Sequence, residues 1–195
     1  MRDSGLLIIF AAHSGAGKST IIRELMGRHP DWLFSVSCTT RAPRTGEKNG
    51  REYHFLSVDA FSALMKEGGL LEHEEVHGEL YGTPRKPVEE ALASERTMIL
   101  DLDVEGAVRV LDGFTGKTVS FFIDTPNLEI LQNRLRLRDT DDDAAVQRRL
   151  SRIPREREKM HCFQHIVIND ELTAAVDEVD RLILAARENT KRRSG

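Results

Sequence analysis

Cysteine is scarce in this sequence, and the two that occur, Cys38 and Cys162, stand far apart and fit no metal-ligand spacing. A disulfide framework would need more of them, so a stapled secreted scaffold is excluded and a reducing cytoplasm is the expected compartment. Long apolar runs are missing as well. Leu6 to Ala12 is the only one near the N-terminus, too short and too lightly flanked for a signal peptide or a membrane span. Neither sign of charge dominates: 28 Lys and Arg stand against 32 Asp and Glu, so nothing draws the whole chain to nucleic acid or to an anionic membrane. Any anion it binds must be captured locally. There is no internal repeat and no low-complexity linker, and 195 residues suit one compact domain that buries its core without disulfide or metal.

What is present alternates. Leu6 to Ala11, Thr97 to Asp101, Thr118 to Ile123 and His165 to Ile168 read as buried strands, separated by stretches of helical periodicity. That order predicts a parallel sheet covered by helices on both faces. Val176, Val179, Leu182 and Ile183 give the last helix one apolar stripe, and the polar stretch from Glu188 to Gly195 is expected to fray. Between the first two core strands, residues of about 35 to 97 differ in texture, with short β-like pieces and the turn formers Pro43, Gly46 and Gly50. In this insert Ser57 predicts the cap of a helix that carries Phe61, Leu64 and Met65 on one face and ends at Gly68 and Gly69. A second helix is expected from near Thr83, with Pro84 and Pro87 in its first turn. A third region, about 126 to 159, is dense in Arg and Asp and reads as a mobile flap too charged for core.

The first strand runs through Ala12 into His13, Ser14, Gly15, Ala16, Gly17, Lys18, Ser19 and Thr20, with a helical stretch from Ile21 to Met26 and Gly27 placed to end it. This strand, loop and helix order is that of a P-loop. The glycines let successive N–H groups converge on phosphate oxygens, Lys18 reaches the β- and γ-phosphates of ATP, and the Ser19 hydroxyl can ligate Mg²⁺. Ala12 stands where the pattern has its leading glycine, which matters only if that position needs a positive φ. Downstream, Met98 to Leu100 runs into Asp101 and Asp103, as in a Walker B strand, and Asp101 is expected to position Mg²⁺ through water.

A P-loop does not say what receives the phosphoryl group. Ser35 to Arg44, Gly50 to Tyr53, Leu71 to Glu74 and Gly78 to Thr83 answer that. In spacing and composition these segments resemble the nucleoside-monophosphate site of guanylate kinases, and the resemblance extends from the P-loop to Ile168, Asn169 and Asp170. It implies that Arg41, Arg44, Tyr53 and Tyr81 grip the phosphate of GMP, that Ser37, Glu72 and Thr83 surround the base, and that Asp103 lies near GMP. It also implies that Asn169 and Asp170 lie near the adenine of ATP, and that Arg138 and Arg149 are lid arginines, with Arg134 a third. The fold it implies is α/β, a three-layer P-loop NTPase core with a parallel sheet (about 1–34, 98–125 and 160–195). An inserted small α+β GMP-binding subdomain (about 35–97) and a helical lid (about 126–159) complete it.

The chemistry of these residue types agrees. Two arginines beside a proline turn offer planar forks to a divalent phosphate, and phenol hydroxyls donate to its remaining lone pairs. Guanine presents adjacent N1–H and N2–H donors that one carboxylate, Glu72, accepts together, and Thr83 can donate to O6. Adenine offers an acceptor at N1, so the same buried carboxylate would be left unpaired against it. His54, His73 and His77 fall among these motifs without an assigned chemistry. In the flap, Asp139 to Asp143 sit where a helix should begin, that helix should run through Arg148 and Arg149, and Pro154 should bend or end it. Arg136, Arg152, Arg155 and Arg157 read as its solvated face.

The expected reaction is in-line attack by a GMP phosphate oxygen on the γ-phosphorus of MgATP, with Lys18, Arg44, Arg138 and Arg149 around the migrating group and no covalent intermediate. Two rivals fit the residues less well. A guanylate-kinase-like module that only holds phosphopeptides has a degraded P-loop, whereas Lys18 and Ser19 are present. A kinase of the same fold for a ribose phosphate would not need the base-reading pair of Glu72 and Thr83. Monomer and homo-oligomer are both left open.

Overall fold

The computed structural model describes residues 5–76, 78–114, 116–136 and 143–193. In chain order its elements are β1 (Leu6–Ala12), α1 (Lys18–Arg28), β2 (Leu33–Phe34), β3 (Cys38–Thr39), β4 (His54–Phe55), α2 (Val58–Lys66), β5 (Leu70–Val76) and β6 (Glu79–Pro84). There follow α3 (Arg85–Ala93), β7 (Thr97–Asp101), α4 (Val104–Gly113), β8 (Thr118–Asp124), α5 (Leu128–Arg136), α6 (Asp143–Glu158), a 3₁₀ turn (Met160–Cys162), β9 (His165–Ile168) and α7 (Leu172–Arg193). Among the described residues no helix is long and apolar enough to cross a membrane.

Five parallel strands form the main sheet in the order β2-β7-β1-β8-β9. All of β1 but Ala12 is buried, because side chains alternate between two covered faces. Leu6, Ile8 and Phe10 join Ile21 and Leu25 of α1 and Val176, Val179 and Ile183 of α7 on one face. Leu7, Ile9 and Ala11 join Val88 and Ala91 of α3 and Val104, Ala107 and Val110 of α4 on the other. Since β1 lies between β7 and β8, the C-terminal carboxylates of both neighbours, Asp101 and Asp124, flank the loop that leaves β1. This is the switch point at which parallel sheets bind ligands.

A second sheet, ordered β4-β3-β6-β5, carries the insert. Its own core is small: Cys38, Phe61 and Leu70 are the buried members. Burial also pushes the Cys38 thiol up to about 11, so it packs as an inert apolar group. The helix α2 is capped as its sequence predicts. Ser57 Oγ accepts from Ala60 N–H, and the N–H groups of Gly68 and Gly69 close the end on Met65 O and Leu64 O, a Schellman arrangement.

Several expectations need correcting. The helix after the P-loop does not stop before Gly27 but runs to Arg28, since Ile21, Ile22 and Leu25 bury its stripe and a single glycine costs it only about 1 kcal/mol. The helix expected near Thr83 starts at Arg85, because β6 continues through Pro84 to pair with Leu70 of β5. Strand β7 spans Thr97 to Asp101 as expected, while α3, placed in the insert, covers the main sheet. The flap region is not excluded from the core: Leu131 of α5 and Ile153 of α6 are buried with β1, α1 and α7. Pro154 does not end α6, which goes on to Glu158 with Ile153 holding the turn in the core. The last helix extends through the polar stretch as far as Arg193.

Candidate active site

The phosphate loop is supported from beneath. Ala12 closes β1 outside the left-handed region, since Glu95 is the only non-glycine at positive φ among the described residues, so the missing leading glycine introduces no strain. Gly17 is different: it sits at φ 92°, and a Cβ there would stand 2.2 Å from Asn169 Nδ2. Asn169 is buried and donates from that nitrogen to Ala16 O at 2.7 Å. Its amide nitrogen is therefore engaged in shaping the loop, while Asp170 is exposed and its carbonyl oxygen accepts from Arg134. Lys18, Ser19 and Thr20 open α1, whose N-terminal amides and dipole favour an anion. Lys18 Nζ donates to Leu102 O and pairs with Asp101 Oδ1 at 2.5 Å.

The acceptor residues come together through strand register. Glu72 pairs with Thr83 and Glu74 with Tyr81 across β5 and β6, which puts all four side chains on one face. Thr83 Oγ1 donates to Glu72 Oε1 at 2.6 Å. Burial raises the Glu72 carboxyl above its ordinary range; the Thr83 hydrogen bond opposes the rise, nearby Asp103 adds to it, and Arg109 opposes it. Arg109 Nη2 lies 3.8 Å from Glu72 Oε2. Asp103 caps α4 by accepting from Gly106 N–H at 2.5 Å, and a Cβ on Gly106 would meet Glu72 Oε2 at 2.7 Å and Asp103 Oδ1 at 2.9 Å. A glycine is what lets these two carboxylates approach the helix start.

Tyr53 and Tyr81 meet edge to face with centroids 5.9 Å apart, and burial is the main cause that raises the Tyr53 phenol. The Arg41 guanidinium lies 5.5 Å from the Tyr53 ring centre and forks onto Glu47 at 3.0 and 2.9 Å, which raises its own pKa and lowers that of Glu47. A carboxylate presented as a pair of oxygens has the geometry in which Arg takes a phosphate. Arg44 is exposed, and its main-chain N–H bonds the same Glu47 at 2.7 Å. One cleft of about 570 Å³ takes in Lys18, Ser19, Ser37, Tyr53, Glu72 and Asp103, together with Asp101. The loop after β1 and the Glu72 carboxylate thus open into a common space.

Among the described residues no cluster of three or more His, Cys, Asp and Glu side chains could hold a metal by itself. Ser19 and Asp101 supply hard oxygens to the cleft, a donor set that fits Mg²⁺, which keeps most of its ligands as water and phosphate.

A family model described as guanylate kinase matches residues 4–186. The chain belongs to the guanylate kinase family. It is 43% identical over 184 residues to a guanylate kinase of Chlorobium chlorochromatii, covering 94% of this chain and 97% of that one. It is 45% identical over 177 residues to one of Gloeobacter violaceus, covering 91% and 86%. The crystal structure of guanylate kinase from Anaplasma phagocytophilum superposes with a TM-score of 0.76 at 26% identity, over 96% of this chain and 88% of that one.

For a guanylate kinase family member, the arginine-rich region is where residues and expectation separate most. Arg138 lies outside the described residues, as do Asp139 to Asp142 and His77. Arg149 Nη1 donates to Ser14 Oγ at 3.1 Å, so α6 touches the phosphate loop. Arg134 instead turns to Asn169 O at 3.0 Å. Arg152 and Arg157, read from sequence as solvated face, have further roles: Arg152 lines the cleft, as does Glu156, which the sequence reading did not name, and Arg157 donates to Asp124 Oδ2 at 3.1 Å. Arg152 could have been found, since it lies one helical turn from Arg149. Gly106 could also have been found, as the third residue after a capping Asp103. Glu47, Arg109 and Glu156 carry no such signal.

Proposed function

We propose that this chain transfers the γ-phosphoryl group of ATP reversibly to GMP and dGMP, giving ADP and GDP, in cytoplasmic purine metabolism and GMP recycling. The observation that carries the reading is Glu72, bonded from behind by the buried Thr83 hydroxyl, lining the same cleft as Lys18. A carboxylate supported by a hydroxyl donor suits the two adjacent donors of guanine and rejects adenine.

In this reading Lys18 exchanges its partner Asp101 for phosphate oxygens, so one anionic neighbour replaces another and the ammonium stays compensated. Gly15 to Thr20 hold the phosphates on main-chain amides, with Ala12, His13 and Ser14 forming the entry to the loop. Arg41 exchanges Glu47 for the GMP phosphate, with Arg44, Tyr53 and Tyr81 completing its contacts, while Ser37 and Asp103 border the nucleoside. Ser19 and Asp101 would hold Mg²⁺, which would supply charge neutralisation at the phosphates. Arg149, with Arg138, stabilises charge on the migrating group. The acceptor oxygen is already ionised, so positioning and electrostatics replace general-base catalysis.

The test is a coupled assay with MgATP against GMP, dGMP, AMP, CMP and UMP. Turnover confined to the first two is expected. Equal rates with all five, or no ATP-dependent turnover, would remove the assignment.

A further inference from the structure

His13 is the first residue of the loop that leaves β1, and its imidazole is entirely buried. A fully buried, titratable ring in a phosphate loop requires an explanation. Its Nδ1 lies 2.7 Å from Glu156 Oε2, with the ring nitrogen donating to the carboxylate. Its Nε2 faces Asp124 Oδ1 at 3.8 Å, Asp124 in turn takes Arg157 at 3.1 Å, and the ring edge packs on Phe122 at 4.9 Å. The histidine therefore joins three elements that meet at the switch point: the phosphate loop, the end of β8, and α6.

Glu156 and Arg149 are seven residues apart on α6, which is two helical turns, so their side chains leave the same face about 10 Å apart along the axis. Arg149 contacts Ser14, the residue after His13. Arg152, between them on that face, lines the cleft. Two points of contact with adjacent loop residues define both the register and the rotation of a helix; one point does not.

We propose that His13 is a positioning residue for phosphoryl transfer. Through its hydrogen bond to Glu156 it seats α6 on the phosphate loop so that Arg149 and Arg152 point at the migrating phosphoryl group. This rests on the reading of Arg149 as a phosphate-stabilising arginine. A misplacement of about 1 Å in such a group lowers the rate about a hundredfold. The loop itself is held separately, by Asn169 on Ala16 and by the buried Ala16 methyl, so ATP affinity does not depend on the histidine.

The experiment is a double-mutant cycle measured in steady-state kinetics with MgATP and GMP, with thermal unfolding of each variant. His13→Ala is expected to lower kcat about tenfold to a hundredfold with both KM values within about twofold, and His13→Asn, which keeps a donor near the Nδ1 position, to recover most of the loss. In an Arg149→Ala background, His13→Ala is expected to cost less than about twofold further. If His13→Ala melts below the assay temperature, Glu156→Ala cuts the same bond from the helix side and completes the same cycle. Multiplicative losses in a slowed Arg149→Ala enzyme, a loss that falls on the KM for ATP, or no recovery with His13→Asn would each overturn the positioning role alone. An Arg149→Ala enzyme with unchanged kcat would overturn the reading of Arg149 and the proposal together.

Discussion

The two halves of the cleft are built in opposite ways. The phosphate loop is one unbroken stretch seated on the largest core among the described residues, between a strand buried up to Ala12 and a helix whose apolar stripe is also buried. The acceptor wall is gathered from four short strands and a loop, over a core whose buried members are three side chains. Each such fully buried side chain contributes about 2 kcal/mol, so the first half is held by many times more burial than the second. The lesson is that the half which meets a common group, phosphate, rests on extensive packing, while the half that must select and enclose an acceptor rests on a small core and polar pairs.

The largest test of that contrast is Lys18→Met. Because methionine keeps the length of the Lys18 stem and removes only the ammonium that meets Asp101 and Leu102 O, the variant should fold normally and lose about a thousandfold or more in kcat. A Tm within a few degrees of wild type alongside that loss is the expected outcome, and retained turnover would contradict it.

Glu72→Gln follows, with an expected loss of about a hundredfold in kcat/KM for GMP and an unchanged KM for ATP. It carries a second, opposite effect. Burial raises the Glu72 carboxyl, so between the ordinary carboxyl value of about 4.3 and its folded value the native state binds more proton than the unfolded chain. Stability therefore falls as pH rises through that window. At about pH 7 the glutamine variant should melt above wild type, and the gap should close as pH approaches about 4. A lower Tm for the variant at neutral pH would show that the carboxylate stabilises the fold, contrary to the burial argument.

Phe61→Ala sharpens the comparison from the packing side. Phe61 is wholly buried in the small core, and its truncation should destabilise the second sheet by about 3–5 kcal/mol. Hydrogen exchange should quicken in β3, β5 and β6 while β1, β7 and β8 stay protected, and the KM for GMP should rise more than that for ATP. Uniform loss of protection would mean that the two sheets unfold as one unit. The smallest expected effect is Gly106→Ala. Its new methyl must displace the ends of both Glu72 and Asp103, and moving Asp103 loosens the α4 cap, so stability should fall by only about 1 kcal/mol while the KM for GMP rises about tenfold. An unchanged KM would show that these carboxylates have room to spare.

Most of the phosphate loop was legible in the sequence because its geometry is local. Glycines at fixed offsets, a lysine and a hydroxyl between a buried strand and a helix carry their own instructions. The strands of the main sheet were legible for a similar reason, since a run buried on both faces is apolar without interruption. The candidate acceptor residues were named by resemblance, but not their partners: nothing in the spacing of Arg41 and Glu47, or of Glu72 and Arg109, announces an ion pair. The arginine-rich region was misjudged because charge density conceals two core residues, Leu131 and Ile153, that an average over the segment outweighs.

By itself, then, the chain's order of residues determined the parallel sheet, the phosphate loop at its central strand and the identity of the side chains available to read an acceptor, because periodicity and short motifs act over a few residues. Only the tertiary structure decided that Asn169 braces the loop, that Glu156 of α6 meets His13 across 143 residues of chain, and that Gly106 leaves room for two carboxylates. Those contacts join segments distant in sequence, and which of them close is settled by how whole elements pack.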